Sequence, residues 1–217
     1  MSESLSPVMI GAALLGGYLL GSIPFGVIAT RLGGAGDLRT IGSGNIGATN
    51  VLRTGRRDLA LITLLGDGGK GALAVLLAWL ATRDGTVEQQ SVLTSLAAGA
   101  AFLGHLFPVW LKFKGGKGVA TFFGTLLAAA WPVGMVAGAT WLIVAFLFRM
   151  SSLAALVAVA LSPVVALLFG RPHAIALLAL FMALLVYIRH SENIRRLMKG
   201  EEPKIGGSKK AQETPGA

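Results

Sequence analysis

The sequence predicts an all-α integral membrane protein with seven transmembrane helices, and three observations support that fold class. Charged residues make up only 13% of the 217-residue chain and hydrophobic residues 54%, whereas a soluble domain carries about 25% charged residues. The apolar residues form long runs instead of alternating with polar ones, which is typical of helices that face lipid. The excess of basic over acidic residues, a net charge of +9, falls between those runs.

The apolar runs divide into seven segments, of which two are short against the about 20 residues that a transmembrane helix needs. Gly21 and Pro24 in the first segment predict close helix packing and a bend. Residues 119–148 are too long for one span, so Trp131 and Pro132 are interpreted as a tight turn between two short spans. The predicted spans are residues 7–30, 58–81, 91–111, 119–130, 133–148, 153–169 and 174–188.

An odd number of spans places the two ends of the chain on opposite sides of the membrane, and the basic residues select the orientation. With the N-terminus outside, the inner segments hold sixteen of the nineteen Lys and Arg residues. The outer turns hold Arg83 and Arg171, and Lys70 lies within a span. The charge distribution therefore predicts an outside N-terminus and a cytoplasmic C-terminus. If Trp131 and Pro132 only kinked one helix, six spans would place the basic tail outside, which the charge rule disfavours.

The composition excludes several kinds of site. The chain has no cysteine, which rules out disulfides, thiolate metal sites and a cysteine nucleophile. Its three histidines lie far apart and show no metal-ligand spacing, so we expect no metal and no cofactor. The positive charge lies beside apolar runs and therefore indicates anionic ligands or lipid head groups, not nucleic acid. We expect one transmembrane domain over residues 1–200 and a disordered tail over 201–217.

The glycine-rich loop at residues 42–53 is the first candidate binding site. Its glycines allow positive φ and a close approach of the backbone to a ligand, and successive N–H groups in such a loop form an anion-binding concavity. Arg53 adds a fixed charge suited to a bidentate grip on phosphate. The alternative is a flexible loop of ordinary turn residues. The candidates are Gly42, Ser43, Gly44, Asn45, Gly47, Ala48, Thr49, Asn50 and Arg53.

Two ionisable residues, Asp67 and Lys70, fall inside the second predicted span. Their i,i+3 spacing puts both on one helix face, and ionisable groups at this depth usually line a polar cavity. A mutual ion pair that only permits a polar turn near the interface is the alternative, and the two interpretations are compatible.

A basic loop after the third span is the next candidate. Residues 114–118 combine flexible backbone with two lysines and open an apolar helix, whose N–H groups and dipole favour an anion. The segment is not a Walker A loop, and an interfacial anchor for lipid head groups is the alternative. His105, upstream, is of a kind that is more often structural. The candidates are His105, Lys114, Gly115, Gly116, Lys117 and Gly118.

The fourth candidate follows the last span. On a helix, His190 and Asn193 share one face, and Arg196 lies three residues further along. The imidazole of His190 can act as a base, an acid or a donor to phosphate. A generic basic anchor would explain the arginines but not His190 and Asn193.

Together these segments resemble the bacterial membrane glycerol-3-phosphate acyltransferases that use acyl-phosphate as donor, the PlsY family. The matching stretches occur in the right order across nearly the whole chain. Each is moderately specific, and their joint occurrence in a small seven-span protein is highly specific. They are residues 21–26, 42–53, 66–71, 104–121 and 189–197.

The resemblance implies transfer of an acyl chain from acyl-phosphate to the 1-hydroxyl of sn-glycerol 3-phosphate. The products are lysophosphatidic acid and inorganic phosphate, at the first step of phospholipid biosynthesis. The resemblance also implies a multi-pass protein of the bacterial inner membrane with its active site at the cytoplasmic face. The expected partners are the two substrates and membrane lipids.

The resemblance also assigns roles. It implies that glycerol 3-phosphate is held by Ser43, Arg53, Lys117, His190 and Asn193. It further implies that the loop 44–50 cradles the acyl-phosphate head group, with Lys70, Lys114 and Arg196 in support. The base that takes the hydroxyl proton stays open between a substrate phosphate, Asp67 and His190.

Three other functions compete with this interpretation. A transporter of a phosphorylated solute could use the same basic loops. Transporters usually show repeated halves and a midplane site, whereas the polar residues of this sequence are expected at one membrane face. A phosphatidyltransferase needs an aspartate-rich metal site, and Asp37, Asp58 and Asp67 are not suitably spaced for one. A non-catalytic lipid scaffold would not need so many loop glycines.

Overall fold

The computed structural model describes residues 5–206, and within that range the chain is all-helical. This confirms the all-α part of the predicted fold class. Three short 3-10 turns lie at Leu38–Thr40, Leu52–Thr54 and Val109–Leu111. The α-helices in this part of the chain are α1 Pro7–Gly21, α2 Phe25–Leu32, α3 Ala48–Val51, α4 Arg57–Ala81, α5 Val87–Leu106, α6 Val119–Ala129, α7 Trp131–Phe148, α8 Ser151–Leu168, α9 His173–Arg189 and α10 Ser191–Met198.

Five segments are long and apolar enough to cross a membrane: α1 with α2, α4, α5 with its following turn, α7 and α8. Helix α9 meets the same criteria together with α10, from which it is bent by 65°. Helix α6 is apolar but has 11 residues. The protein is therefore an all-α multi-pass membrane protein, with five such segments among residues 5–206, or six if the bent pair forms one span.

The first span is broken at the position that Pro24 predicts. Helix α1 ends at Gly21 and α2 begins at Phe25, because proline has no N–H and its ring clashes with a continuing helix. The N–H of Ser22 donates to the Tyr18 carbonyl at 2.9 Å. The Ile23 carbonyl accepts from the Lys70 ammonium of α4 at 2.8 Å. The break is therefore closed by a charged group from a neighbouring helix.

A break between residues 119–130 and 133–148 is confirmed, but it lies at Ala130, and Trp131 and Pro132, which were predicted to form the turn, belong to α7. Ala130 has a non-helical backbone, with φ −153° and ψ 75°, and separates α6 from α7. Pro132 lies in the first turn of α7, where the missing N–H has no helical partner to lose.

Close packing of α1 on α5 depends on small residues. A side chain at Gly21 would overlap the backbone of Ala101, and one at Gly104 would overlap the Tyr18 carbonyl. Such contacts let helix backbones approach closely in a membrane. The main apolar core lies between α5, α6 and α9, where Phe102 and Phe122 are fully buried.

Three connecting segments meet at one end of the bundle, which we call the basic end. We call residues 33–56, between α2 and α4, the first loop, and residues 107–118, between α5 and α6, the second loop. Leu38 and Val51 of the first loop pack with Leu59 at the start of α4, and Leu111 of the second loop joins them. Arg189, at the end of α9, donates to the same second loop. The described part of the predicted tail, residues 201–206, returns to the α7–α8 turn, and the other predicted tail residues, 207–217, lie outside the described residues.

Candidate active site

Asn50 organises the first loop from inside. Its side chain is only 2% exposed, and its amide nitrogen donates to the carbonyls of Leu38 at 3.0 Å and Ile41 at 2.9 Å. Its amide oxygen accepts from the Ser43 N–H at 3.1 Å, from the Ser43 hydroxyl at 3.3 Å and from Arg53 Nη1 at 3.3 Å. Asn50 therefore brings Ser43 and Arg53, which are both exposed, to one place.

Gly42 is required at the turn that holds this arrangement. Its φ is +55°, a conformation that costs residues with a Cβ roughly 1 kcal/mol. A Cβ there would also lie 2.6 Å from both Arg53 Nη1 and Asn50 Oδ1. The remaining candidates of the loop, Asn45, Gly47, Ala48 and Thr49, lead into α3, for which Gly47 is the N-cap residue.

Asp67, Lys70 and His105 meet inside the bundle, and we call them the buried polar cluster. Lys70 Nζ donates to Asp67 Oδ1 at 2.8 Å, and the two side chains are 2% and 3% exposed. His105 Nδ1 lies 3.5 Å from the same carboxylate oxygen. The ion pair is the alternative that the sequence offered, and it lies in α4, a candidate span.

The second loop is packed tightly against the end of α5. The N–H groups of Gly115 and Gly116 donate to the Leu106 and His105 carbonyls, both at 3.1 Å. On the outer side, Arg189 donates to the Gly116 carbonyl at 3.2 Å and to the Gly115 carbonyl at 2.9 Å. These two N–H groups are thus engaged within the protein, and Lys117 follows them as the basic side chain next in the loop. Gly118, with φ +84°, follows as the N-cap residue of α6.

Lys117 belongs to a hydrogen-bonded network with α10, which we call the Lys117 network. The Lys117 ammonium donates to Asn193 Oδ1. Asn193 Nδ2 donates to Glu202 Oε1 at 2.6 Å, and Arg196 Nε donates to Glu202 Oε2 at 2.8 Å. The Ser152 hydroxyl, on α8, also donates to Glu202 at 2.7 Å. Residues more than 80 positions apart in sequence are thereby joined around one carboxylate.

The electrostatics of the network follow from partial burial. Burial lowers the pKa of Lys117, and the nearby Arg196 charge lowers it further. Burial alone would raise the pKa of Glu202, but hydrogen bonds from Ser152, Asn193 and Arg196 outweigh it and lower that pKa. A desolvated ammonium that shares a site with a second cation gains energy when an anion binds.

His190 lies at the 65° bend between α9 and α10. Its ring is buried, and Nδ1 lies 2.8 Å from the Val186 carbonyl. Burial lowers the pKa of His190 to about 4, with a further contribution from the Lys117 charge, against the hydrogen bond to Val186. The imidazole is therefore neutral at neutral pH. Because Nδ1 faces a carbonyl, it carries the proton, and Nε2 is left as an acceptor.

The predicted site residues thus fall into three groups. Ser43, Asn50 and Arg53 form the first, the buried polar cluster is the second, and the Lys117 network contains Asn193 and Arg196. Among residues 5–206, no hydrogen bond or ion pair joins the first group to the Lys117 network, although both lie at the basic end. In the same range, no three His, Asp or Glu side chains are grouped so as to hold a metal ion.

Sequence reasoning overlooked three residues that shape these groups: Ser152, Arg189 and Glu202. Arg189 lies in the matching stretch 189–197 without a predicted role, and Glu202 lies in the predicted tail. Their partners are remote in sequence, 73 and 74 positions away for Arg189 and 50 for the Ser152–Glu202 pair. The signal available in the sequence for Glu202 was the acidic pair Glu201 and Glu202, which directly follows Gly200 in an otherwise basic segment.

Comparison with known proteins gives consistent matches over most of the chain. Residues 11–200 match the family model for glycerol-3-phosphate acyltransferase. A glycerol-3-phosphate acyltransferase of Caulobacter vibrioides is 68% identical over 208 residues, covering 96% of this chain and 93% of the relative. The Rhodospirillum rubrum protein of the same name is 59% identical, covering 97% and 98%.

Two solved structures are also similar. Both are of PlsY (YgiH), an integral membrane glycerol 3-phosphate acyltransferase, in its glycerol 3-phosphate and lysophosphatidic acid forms. The first has a TM-score of 0.84 and 34% identity, and the match covers 91% of this chain and 96% of that one. The second has a TM-score of 0.83 at the same identity, with 91% and 95% covered.

Proposed function

The chain belongs to the glycerol-3-phosphate acyltransferase family, and from that premise we propose that it takes the acyl group from acyl-phosphate at the basic end. It is a membrane enzyme that acylates glycerol 3-phosphate in phospholipid synthesis. The relatives named above are acyltransferases, so the transporter interpretation has no support among them.

The observation that carries the proposed site is the network in which Asn193 and Arg196 bond to the Glu202 carboxylate and Lys117 bonds to Asn193. An ammonium, an amide and a guanidinium are the groups that hold a phosphate. His190, at the bend beside them, adds a neutral acceptor at Nε2. We assign the phosphate and hydroxyls of glycerol 3-phosphate to this network, with Ser43 and Arg53 contributing from the first loop.

The first loop supplies the second part of the proposed site. Residues 44–50 surround the acyl-phosphate head group, and Lys114 adds charge from the second loop. Asn50 acts here through Ser43 and Arg53, because its own amide is committed to four neighbours within the loop. Gly115, Gly116 and Gly118 shape the backbone that presents Lys117.

The chemistry requires no covalent enzyme nucleophile. The 1-hydroxyl oxygen attacks the carbonyl carbon of acyl-phosphate, a C–O ester bond forms, and the carbonyl–phosphate bond breaks. The phosphate departs with the bonding electron pair, and the hydroxyl proton ends on a phosphate oxygen. Because the donor is an activated mixed anhydride, the protein needs to supply position and charge neutralisation.

A substrate phosphate is the base that fits this arrangement best. The carboxylate of Asp67 is paired with Lys70 inside the bundle. His190 has a pKa of about 4, which makes it a weak base. We therefore assign His190 the role of accepting a hydrogen bond from a substrate hydroxyl and orienting it.

The proposed topology has seven spans, with the basic end in the cytoplasm of a bacterial inner membrane. Helix α6 starts at the basic end, and α7 ends beside Arg149, which bonds the Ile205 segment there. The α6–α7 hairpin thus enters and leaves at the same end. It therefore does not change the side of the membrane on which the following helix begins. Helices α1, α4, α5, α8 and α9 then place the N-terminus opposite the C-terminus. The excess of Lys and Arg at the basic end supports its cytoplasmic location.

The purified protein tests the donor. We expect phosphate release only when acyl-phosphate and glycerol 3-phosphate are both present, and no release with acyl-CoA or acyl-carrier protein as donor. Equal use of acyl-CoA would overturn the donor assignment. The topology is tested by single cysteines introduced into this cysteine-free chain: a cysteine at Arg83 should react with an impermeant maleimide from the periplasmic side, and one at Lys112 should not.

A further inference from the structure

We propose that the buried polar cluster of Asp67, Lys70 and His105 positions the first loop and the second loop relative to each other, without contacting substrate. The inference rests on the proposed function, because its effect is measured as acyl transfer to glycerol 3-phosphate. Sequence reasoning placed these three residues in substrate contact. Their partners in the structure give them a different role.

The cluster is closed within the protein. The Lys70 ammonium has two partners, Asp67 Oδ1 and the Ile23 carbonyl, each at 2.8 Å. The ring of Phe25 lies 6.0 Å from the same ammonium. With side chains 2% to 4% exposed, the three residues are buried inside the protein.

Lys70 connects the cluster to the first loop. Lys70 holds the Ile23 carbonyl at the break between α1 and α2, two residues before α2 begins. A Cβ at Gly26, in the first turn of α2, would overlap the Ile46 carbonyl. The position of α2 therefore sets the position of the loop segment that carries Ile46 and, next to it, the candidate anion-binding residues.

His105 and Asp67 connect the cluster to the second loop through two sets of contacts. The His105 carbonyl accepts from the Gly116 N–H at 3.1 Å, and a Cβ at Gly116 would overlap the His105 ring. The Thr121 hydroxyl, in the first turn of α6, donates to the Asp67 carbonyl at 2.9 Å. The residues on both sides of Lys117 are thus fixed to the cluster.

A buried ion pair is suited to this task. Its net contribution to stability is small, because desolvation offsets the attraction, and replacing both partners by neutral residues is often tolerated. Removing one partner leaves an uncompensated charge that pulls its surroundings toward water. A displacement of about 1 Å between catalytic groups can lower a rate by about a hundredfold. The cluster therefore affects the reaction rate by fixing the position of one loop relative to the other.

A double-mutant cycle separates positioning from substrate contact. We expect Asp67→Asn and Lys70→Met each to lower kcat/KM for glycerol 3-phosphate by about a hundredfold. The loss should appear mainly in kcat, because the side chains of the Lys117 network keep their hydrogen bonds. The double variant Asp67→Asn/Lys70→Met should recover about tenfold or more. Asp84→Asn, which removes an aspartate 92% exposed from its surface pair with Arg83, is the matched control and should leave both constants unchanged.

A distance measurement provides a readout that general destabilisation would not reproduce. Spin labels at Arg39→Cys and Lys112→Cys, both exposed positions, report the separation of the two loops by double electron–electron resonance. We expect one narrow distance distribution in the otherwise native chain, a shifted or broadened one with Lys70→Met, and a largely restored one in the double variant.

The outcomes are distinct. A loss in Lys70→Met that appears as a raised KM and persists in the double variant means that Lys70 contacts substrate, and it overturns the inference. A double variant that fails to fold also overturns it, whereas single variants that fail while the double folds support it. An inactive native chain would instead refute the proposed function. Unchanged interspin distances in an impaired single variant would refute positioning.

Discussion

Arg189 offers the sharpest test of how the second loop presents Lys117. Its guanidinium spans two adjacent carbonyls, of Gly116 at 3.2 Å and Gly115 at 2.9 Å, and lies 5.7 Å from the Phe107 ring. A hydrogen bond to a charged group contributes about 1.5–3 kcal/mol. Because the guanidinium is partly solvated, we take the lower end for each bond, about 3 kcal/mol for the pair.

Replacement by methionine should therefore release the loop. If the full 3 kcal/mol were expressed in the transition state, kcat/KM for glycerol 3-phosphate would fall by about 150-fold, at 1.4 kcal/mol for each factor of ten. Arg189→Lys keeps the charge but can reach one carbonyl at a time, because lysine lacks the planar fork. It should lose about tenfold.

The assay is phosphate release with acyl-phosphate held at saturation, with thermal unfolding in detergent measured alongside. Arg171→Met, in the turn between α8 and α9, removes an arginine from the opposite end and should leave kcat/KM unchanged. A lysine variant equal to the native protein would show that charge alone matters. An Arg189→Met variant with native kinetics would refute the proposed support of the loop.

Three further predictions concern the other groups. Gly42→Ala should lower kcat/KM by about tenfold or more, because it meets both a positive φ and a 2.6 Å overlap; Gly55→Ala, where φ is +82° but nothing lies within 4 Å, should cost stability and leave kinetics nearly native. Glu202→Gln should weaken binding of glycerol 3-phosphate by about tenfold, since an amide cannot accept from Arg196 and Asn193 together; a native KM would contradict this. His190 has a lower pKa in the folded state, about 4 against 6.5, so stability is complete above pH 6.5 and falls by about 3 kcal/mol as the pH drops to 4; thermal unfolding of His190→Asn should lack this decrease.

The helices could be predicted closely because their signals are local. Pro24 marks the break in the first span, and Trp131 with Pro132 marks the start of α7, since proline geometry acts within one turn of helix. Apolar runs likewise report burial in lipid whatever their neighbours are. The same reasoning placed Asp67 and Lys70 on one helix face, because an i,i+3 spacing fixes their proximity, and offered an ion pair as one of two interpretations.

The internal arrangement of the site could not be predicted in the same way. The sequence pattern at residues 114–118 favours backbone N–H groups as the anion site. The N–H groups of Gly115 and Gly116 instead donate to carbonyls at the end of α5. Asn50 reads as one polar residue among several, and only the folded loop shows that its amide faces inward. These assignments depend on contacts between remote segments, which composition and spacing do not encode.

In the proposed mechanism, the charge balance of the Lys117 network suits a reaction that requires fixed side chains. Negative charge builds on the carbonyl oxygen and the departing phosphate as the anhydride breaks, so the stabilising groups must already point there. Glu202 holds Arg196 and Asn193 in one orientation, and Asn193 in turn holds Lys117. One carboxylate against two cations leaves net positive charge, and burial of Lys117 keeps water from screening it. The carboxylate therefore orients the cations at the cost of part of their charge, which is favourable where geometry limits the rate.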